Sequence, residues 1–162
     1  MNVLAAQALA RYLNVTVYSE GASSNDWARV LAPFSLFRGI SRRRLRKLVR
    51  HATFVEFAPG ETIVARDDPP DSLYVILGGT AKVRSQSAAR SLHIGDYFRD
   101  AGFYDRGPRA ATVVATGELH VMRLPLRAYV RLAQHGPAIS FATLRNLGAR
   151  VRRPEPRAVL SR

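Results

Sequence analysis

Among the 25 Lys and Arg residues of the 162-residue chain, Arg109 has unusual neighbours: it lies in a run of small residues, Gly107-Pro108-Arg109-Ala110-Ala111-Thr112. Small side chains let backbone N–H groups come close to an anion while the guanidinium forks onto two of its oxygens. Ahead of this run, Gly95 and Gly102 flank the acids Asp96 and Asp100. Behind it, the β-branched run Thr112-Val113-Val114 reads as a strand leaving the pocket. The chemistry is anion capture, with phosphate the natural fit: a phosphate-binding turn packed onto a sheet.

A turn of this kind needs a rigid frame, and residues 53–125 read as a succession of short strands. Thr53 to Phe57 alternates in polarity and ends at the turn Ala58-Pro59-Gly60-Glu61. Thr62 to Ala65 follows, then a polar loop with a Pro-Pro pair. Leu73 to Leu77 is the most apolar strand and is closed by Gly78-Gly79, with Thr80 to Arg84 continuing it as a hairpin. Ser91 to Ile94 leads into the anion turn. Thr112 to Ala115 and Leu119 to Leu124 complete the set, with Gly117 at a turn. Many short strands at this spacing argue an all-β barrel or sandwich.

Helical periods flank the strands. Residues 2–13 form a predicted short helix, Val15 to Tyr18 a short strand, and Ser19 to Asn25 a Ser- and Gly-rich loop. Ser41 is placed to cap a helix in which Leu45, Leu48 and Val49 make one apolar stripe, with Ile40 and Leu45 at hydrophobic-staple positions. Arg42, Arg43, Arg44, Arg46, Lys47 and Arg50 cover the rest of that helix, as a solvated face or a partner-binding one. After Pro125, Leu126 to Gln134 reads as helix, and a last helix starts at Pro137 with Phe141, Leu144, Gly148 and Val151 on one face.

The turn and its strands resemble cyclic-nucleotide-binding domains, whose phosphate-binding cassette runs F-G-E-x-A-L, a short loop, then P-R-A-A-T-V. Phe98 matches the family phenylalanine, and Pro108 to Val113 match the second half residue for residue. The interval from Phe98 to Arg109 equals that in the family's protein-kinase regulatory subunits. Pro59, Gly60, Glu61, Tyr74, Val75, Ile76 and Gly79 fit the family's P-G-E and Y-V-I-x-x-G patterns. The resemblance implies a mainly β fold, a jelly-roll-like β-roll with a helical lead-in and C-terminal helices. It covers about Leu31 to Val151, so residues 1–30 read as an N-terminal extension, 31–151 as the binding domain and 152–162 as a basic tail.

By resemblance, Arg109 takes the cyclic phosphate and Asp100 the ribose 2′-hydroxyl. Arg99, Ala101, Gly102 and Phe103 belong to the first half of the ligand site, and Pro108, Ala110, Ala111 and Thr112 to the second. Two positions depart from the family: Arg99 stands where it has glycine, and Asp100 where it has glutamate. Ala110 directly after Arg109 favours cyclic AMP over cyclic GMP, because guanine-selective relatives tend to carry a threonine near this point. In the family the last helix moves against the barrel when ligand binds, capping the base or forming a dimer seam. The transcription-factor branch continues into a helix-turn-helix domain; here a tail, Glu155 to Arg162, follows.

Composition bounds the alternatives. The absence of cysteine rules out disulfides, thiolate nucleophiles and Cys-ligated metals. His51, His93, His120 and His135 show no paired ligand spacing and read as solitary, surface or half-buried residues, so no metal is expected. No base-paired nucleophile is visible, and enzymatic activity is not expected. No apolar run nears the ~20 residues of a membrane span, and the start lacks a basic signal-peptide region, so a cytoplasmic protein is expected. The net charge of +13 divides unevenly: +7 in residues 1–50, −1 in 51–125 and +7 in 126–162. Basic flanks attract nucleic acid, an anionic membrane surface or an acidic protein partner. Two function classes follow: a regulatory module that binds a cyclic nucleotide and signals to a protein partner or homodimer, or a ligand-free form of the fold that binds proteins or polyanions through its basic helix faces.

Overall fold

The computed structural model describes residues 23–66, 71–84, 89–98 and 111–134. Within them lie helix α1 (Ser24–Leu31), a 3-10 turn (Ser35–Phe37) and helix α2 (Arg42–Val49). Strands β1 (Thr53–Phe57), β2 (Thr62–Val64), β3 (Ser72–Gly78), β4 (Ala81–Arg84), β5 (Ala89–Leu92), β6 (Tyr97–Phe98), β7 (Thr112–Ala115) and β8 (Leu119–Pro125) follow, and then helix α3 (Leu126–Gln134). The strands form two four-stranded antiparallel sheets, β1-β8-β3-β6 and β2-β7-β4-β5.

The apolar run of β3 follows from its position, with every residue buried. Alternate side chains serve two cores, as the pleat requires. Leu73, Val75 and Leu77 pack with Trp27, Leu31, Leu36, Phe37, Leu45 and Leu48 from the helices. Tyr74 and Ile76 face the other way, onto Ile63, Val64, Val113 and Ala115 of the second sheet. β8 divides likewise, Met122 and Leu124 toward the helices and Leu119 and Val121 toward the second sheet. The first sheet is therefore the middle layer of three.

Helix α1 departs from the sequence reading, which placed Ser24 and Asn25 in a loop. The Ser23 hydroxyl accepts from the amides of Asn25 (3.2 Å) and Asp26 (3.4 Å), and the Asp26 carboxylate accepts from the Ser23 amide (2.9 Å) and hydroxyl (2.7 Å). This capping box satisfies first-turn donors that a helix otherwise leaves open. It also lets Trp27, Ala28, Val30 and Leu31 enter the helical core, where the Trp27 ring stacks on Phe54 of β1 at 4.3 Å. Hydrogen bonds from the Ser23 hydroxyl and then its amide hold the Asp26 carboxyl below its ordinary value. Because the folded value is lowered, the stabilisation is full above the ordinary carboxylate range and is lost as pH falls through the lowered value. Ser23→Ala is expected to cost about 1 kcal/mol, read as a fall of about 2–4 °C in melting temperature at neutral pH. The deficit should shrink on acidification.

Three other expectations need correction. Ser41 occupies the N-cap position of α2, but its side chain makes no capping bond; its carbonyl accepts from the amides of Arg44 and Leu45. The strand expected at 91–94 lies at Ala89–Leu92. β3 and β4 are not a hairpin: β3 pairs with β6 and β8, β4 with β5 and β7, and Gly78-Gly79 carries the chain from one sheet to the other. The crossing is tight because it packs on a second one, Thr116 to Glu118, which returns the chain from β7 to β8. Thr116 donates to the Thr80 carbonyl through both amide and hydroxyl (3.0 Å each), and the two threonine hydroxyls lie 2.7 Å apart.

Other elements follow the sequence closely. Pro59 and Gly60 form the turn after β1: Gly60 has φ 84°, the Glu61 amide donates to the Ala58 carbonyl, and the Ala58 amide donates to the Glu61 carboxylate. The reading of 126–134 as helix coincides with α3. The segments 2–13, 15–18 and 137–151 lie outside the described residues.

Candidate functional site

The anion turn sits between β6 and β7, which belong to different sheets. β6 delivers the chain from the edge of the middle layer, and β7 receives it between β2 and β4. Arg99, Asp100, Ala101, Gly102, Phe103, Pro108, Arg109 and Ala110 lie outside the described residues; Ala111 and Thr112 are within them.

The entry strand is fixed by an aromatic pair. Phe98 lies opposite Tyr74 in the β3–β6 register, and their rings are nearly parallel, 4° apart in tilt with centroids 5.1 Å apart. Both are 6% exposed, and such a pair adds about 0.5–1.5 kcal/mol beyond the area it buries. Sequence reasoning assigned Phe98 to a motif and Tyr74 to a strand without joining them; the cross-strand register is what joins them.

Upstream of β6, Asp96 is occupied in holding its own turn. Its carboxylate accepts from the His93 amide (2.9 Å), its amide donates to the His93 carbonyl, and Gly95 takes φ 85°. The Gly95 amide and Asp96 carbonyl bond back to Ile76 of β3 at 2.9 Å each. Of the two acids noted in the sequence, Asp96 is thus structural; Asp100 lies outside the described residues.

On the exit side, Thr112 pairs with Arg84 of β4, and its hydroxyl accepts from the Arg66 amide at 3.1 Å. This ties the end of the anion turn to the chain just after β2, while the hydroxyl retains its own proton to donate. Ala111 and Thr112 are half-buried and Val113 is in the core, so the small-residue run ends where the sheet begins. The small-residue, arginine-bearing segment is thus held at its two ends by strands of different sheets.

Among the described residues, no group of three or more His, Cys, Asp or Glu is placed to hold a metal. His120 is not the solitary residue expected. It lies opposite Glu56 in the β1–β8 register and is 7% exposed. Its Nδ1 is 3.2 Å from a Glu56 carboxylate oxygen, off the hydrogen-bonding direction, and its Nε2 is 3.7 Å from Glu118.

The sequence profile described as "Cyclic nucleotide-binding domain" matches residues 54–135, about half of the chain. The chain belongs to that family. Similar proteins include the cGMP-dependent 3',5'-cGMP phosphodiesterase A of Dictyostelium discoideum, 25% identical over 86% of this chain and 16% of the relative. Another is the CRP-like cAMP-activated global transcriptional regulator of Mycobacterium tuberculosis, 28% identical over 76% of this chain and 58% of the relative. The chain thus spans under two thirds of either relative's length. Among solved structures, the sensor domain of the transcriptional regulator DNR from Pseudomonas aeruginosa superposes with a TM-score of 0.70 at 21% identity, covering 78% of this chain and 94% of that one. That likeness establishes the cyclic-nucleotide-binding β-roll fold.

Proposed function

We propose that this cyclic-nucleotide-binding domain takes cyclic AMP in preference to cyclic GMP and acts as a non-catalytic regulatory module in the cytoplasm. Arg109 forks onto the cyclic phosphate, helped by backbone N–H groups of the small residues Pro108 to Thr112 that carry them. Asp100 reaches the ribose 2′-hydroxyl, directly or through water, because aspartate is one methylene shorter than the family's glutamate. Arg99 supplies a second cation, and Ala101, Gly102 and Phe103 complete the first half of the site. Ligand binding moves the C-terminal helices, and the change passes to a protein partner or a second copy of the chain.

The observation that carries this reading is the unbroken run Pro108-Arg109-Ala110-Ala111-Thr112-Val113, anchored at its end by the Thr112–Arg66 bond and the pairing of β7. Support for cyclic AMP comes from Ala110, which offers no hydroxyl to a guanine. Arg99 and Asp100 favour a second reading, in which the two pair with each other, fill the site and leave the fold to act through its surfaces.

Calorimetric titration of the whole chain with cyclic AMP and cyclic GMP decides between them. Saturable binding of both is expected, with cyclic AMP tighter by about fivefold, roughly 1 kcal/mol. Equal or tighter cyclic GMP binding would remove the selectivity and keep the site. No heat and no melting-temperature shift with either nucleotide at millimolar concentration would favour the second reading.

A further inference from the structure

A concave surface lies between α2 and α3. This cleft, of about 1120 Å³, is lined from α2 by Arg43, Arg44, Lys47 and Leu48, and from α3 by Arg127, Ala128 and Arg131, with Ser41, Gly39 and His51 at its margins. Among the described residues no acidic residue lines it, and neither helix contains one. Arg43 and Lys47 lie at i and i+4, as do Arg127 and Arg131, so each helix turns a pair of cations toward the same space. Like charges at this spacing oppose helix formation, and three arginines in the first turn of α2 face the positive end of its own dipole. Arg44 and Arg131 are engaged elsewhere in the chain. Arg43, Lys47 and Arg127 are exposed and, among the described residues, pair with no acid.

We propose that this cleft is a docking site for an acidic segment of a partner protein, whose carboxylates lie against Arg43 and Lys47 on one wall and Arg127 on the other. An apolar side chain of that segment rests on the half-buried Ala128. The shape and lining select this occupant. Single-stranded nucleic acid stacks its bases on aromatic platforms, and among the described residues no Phe, Tyr or Trp lines the cleft. A membrane surface is engaged by protruding apolar or aromatic side chains, whereas Leu48 is buried at the cleft floor. A peptide is narrow enough to enter between two helices, and its carboxylates match the guanidinium forks. The proposal does not depend on cyclic-nucleotide binding and is tested without nucleotide.

The probe is a fluorescein-labelled peptide of three Glu-Glu-Leu repeats, followed by anisotropy with the whole chain at about 0.15 M salt, where exposed charges beyond ~8 Å are screened. Saturable binding is expected. Arg43→Glu with Lys47→Glu, and separately Arg127→Glu, should each weaken it at least about tenfold. Arg42→Glu with Arg46→Glu removes as much charge from the same helix outside the cleft and should leave affinity within about threefold. If a reversed pair fails to fold, judged by its melting curve, the neutral pair Arg43→Gln with Lys47→Gln replaces it and should weaken binding by at least about fivefold. Equal losses from the cleft and control pairs would overturn the proposal, as would absence of peptide binding. Tighter binding of a single-stranded oligonucleotide or of phosphatidylserine vesicles than of the peptide would overturn it too.

Discussion

Arg109→Ala is expected to lower affinity for cyclic AMP by roughly 2–5 kcal/mol, the range for truncating one partner of a desolvated, hydrogen-bonded charge pair. At about 1.4 kcal/mol per decade, that is a loss of about thirtyfold to several thousandfold. The loss should appear in the nucleotide titration and not in the melting temperature of the free protein. Stability rests on the two cores either side of the first sheet, and the residues that flank the anion-turn segment, Phe98 and Val113, both belong to the core between the sheets. A variant that binds cyclic AMP within about threefold of the parent, less than 1 kcal/mol, would remove Arg109 from the phosphate and with it the proposed site.

The largest expected effect on stability is at Gly79. Its φ of 81° lies in the left-handed region, and a Cβ there would overlap the carbonyl oxygen of Glu118 and stand 3.0 Å from the Leu119 Cα. Both obstacles are backbone, so no rotamer change relieves them. An alanine in left-handed backbone costs about 1–2 kcal/mol, and overpacking typically another 1–3 kcal/mol. Gly79→Ala should therefore destabilise the protein by roughly 2–5 kcal/mol, lowering the melting temperature on the order of 10 °C. Gly117, in the facing crossing, is a matched control: its φ is not in the left-handed region and nothing lies within 4 Å of its Cβ position. Gly117→Ala should be neutral within about 0.5 kcal/mol or slightly stabilising. Similar melting temperatures for the two variants would mean that the crossings yield easily.

Strands with a strong local pattern were legible in the sequence. β1 and β7 coincide with their expected bounds because alternation and β-branched runs are local properties, and α3 because its helical period begins at once after Pro125. The signal for α1 was also present: Ser23 and Asp26 have capping-box spacing, hidden within a run that reads as a loop by composition. The false hairpin has a different origin. Gly78-Gly79 reads as a chain reversal, and only the pairing partners reveal it as a crossing between layers. The Glu56–His120 pair was invisible for the same reason, since its members meet only through the β1–β8 register. At the candidate site the anion turn is legible from residue types, and the individual roles come from the family resemblance. The structure contributes the frame: the Tyr74–Phe98 stack at the entrance, the Asp96 turn before it and the Thr112 anchor after it.

The strand order has a consequence for how the molecule comes into being. Among the described strands, only β4 and β5 are neighbours both in the chain and in a sheet. The outer strand β1 waits for β8, with Thr53 opposite Arg123, so most loop-closure entropy is spent before the first sheet gains its pairing. Domains built on distant pairs fold in milliseconds to seconds, slower than helical bundles. The strands on either side of the motif, β6 and β7, belong to different sheets, so its two ends are brought into place only when both sheets have closed. The proposed nucleotide site therefore depends on strands from both sheets and not on any local stretch of chain.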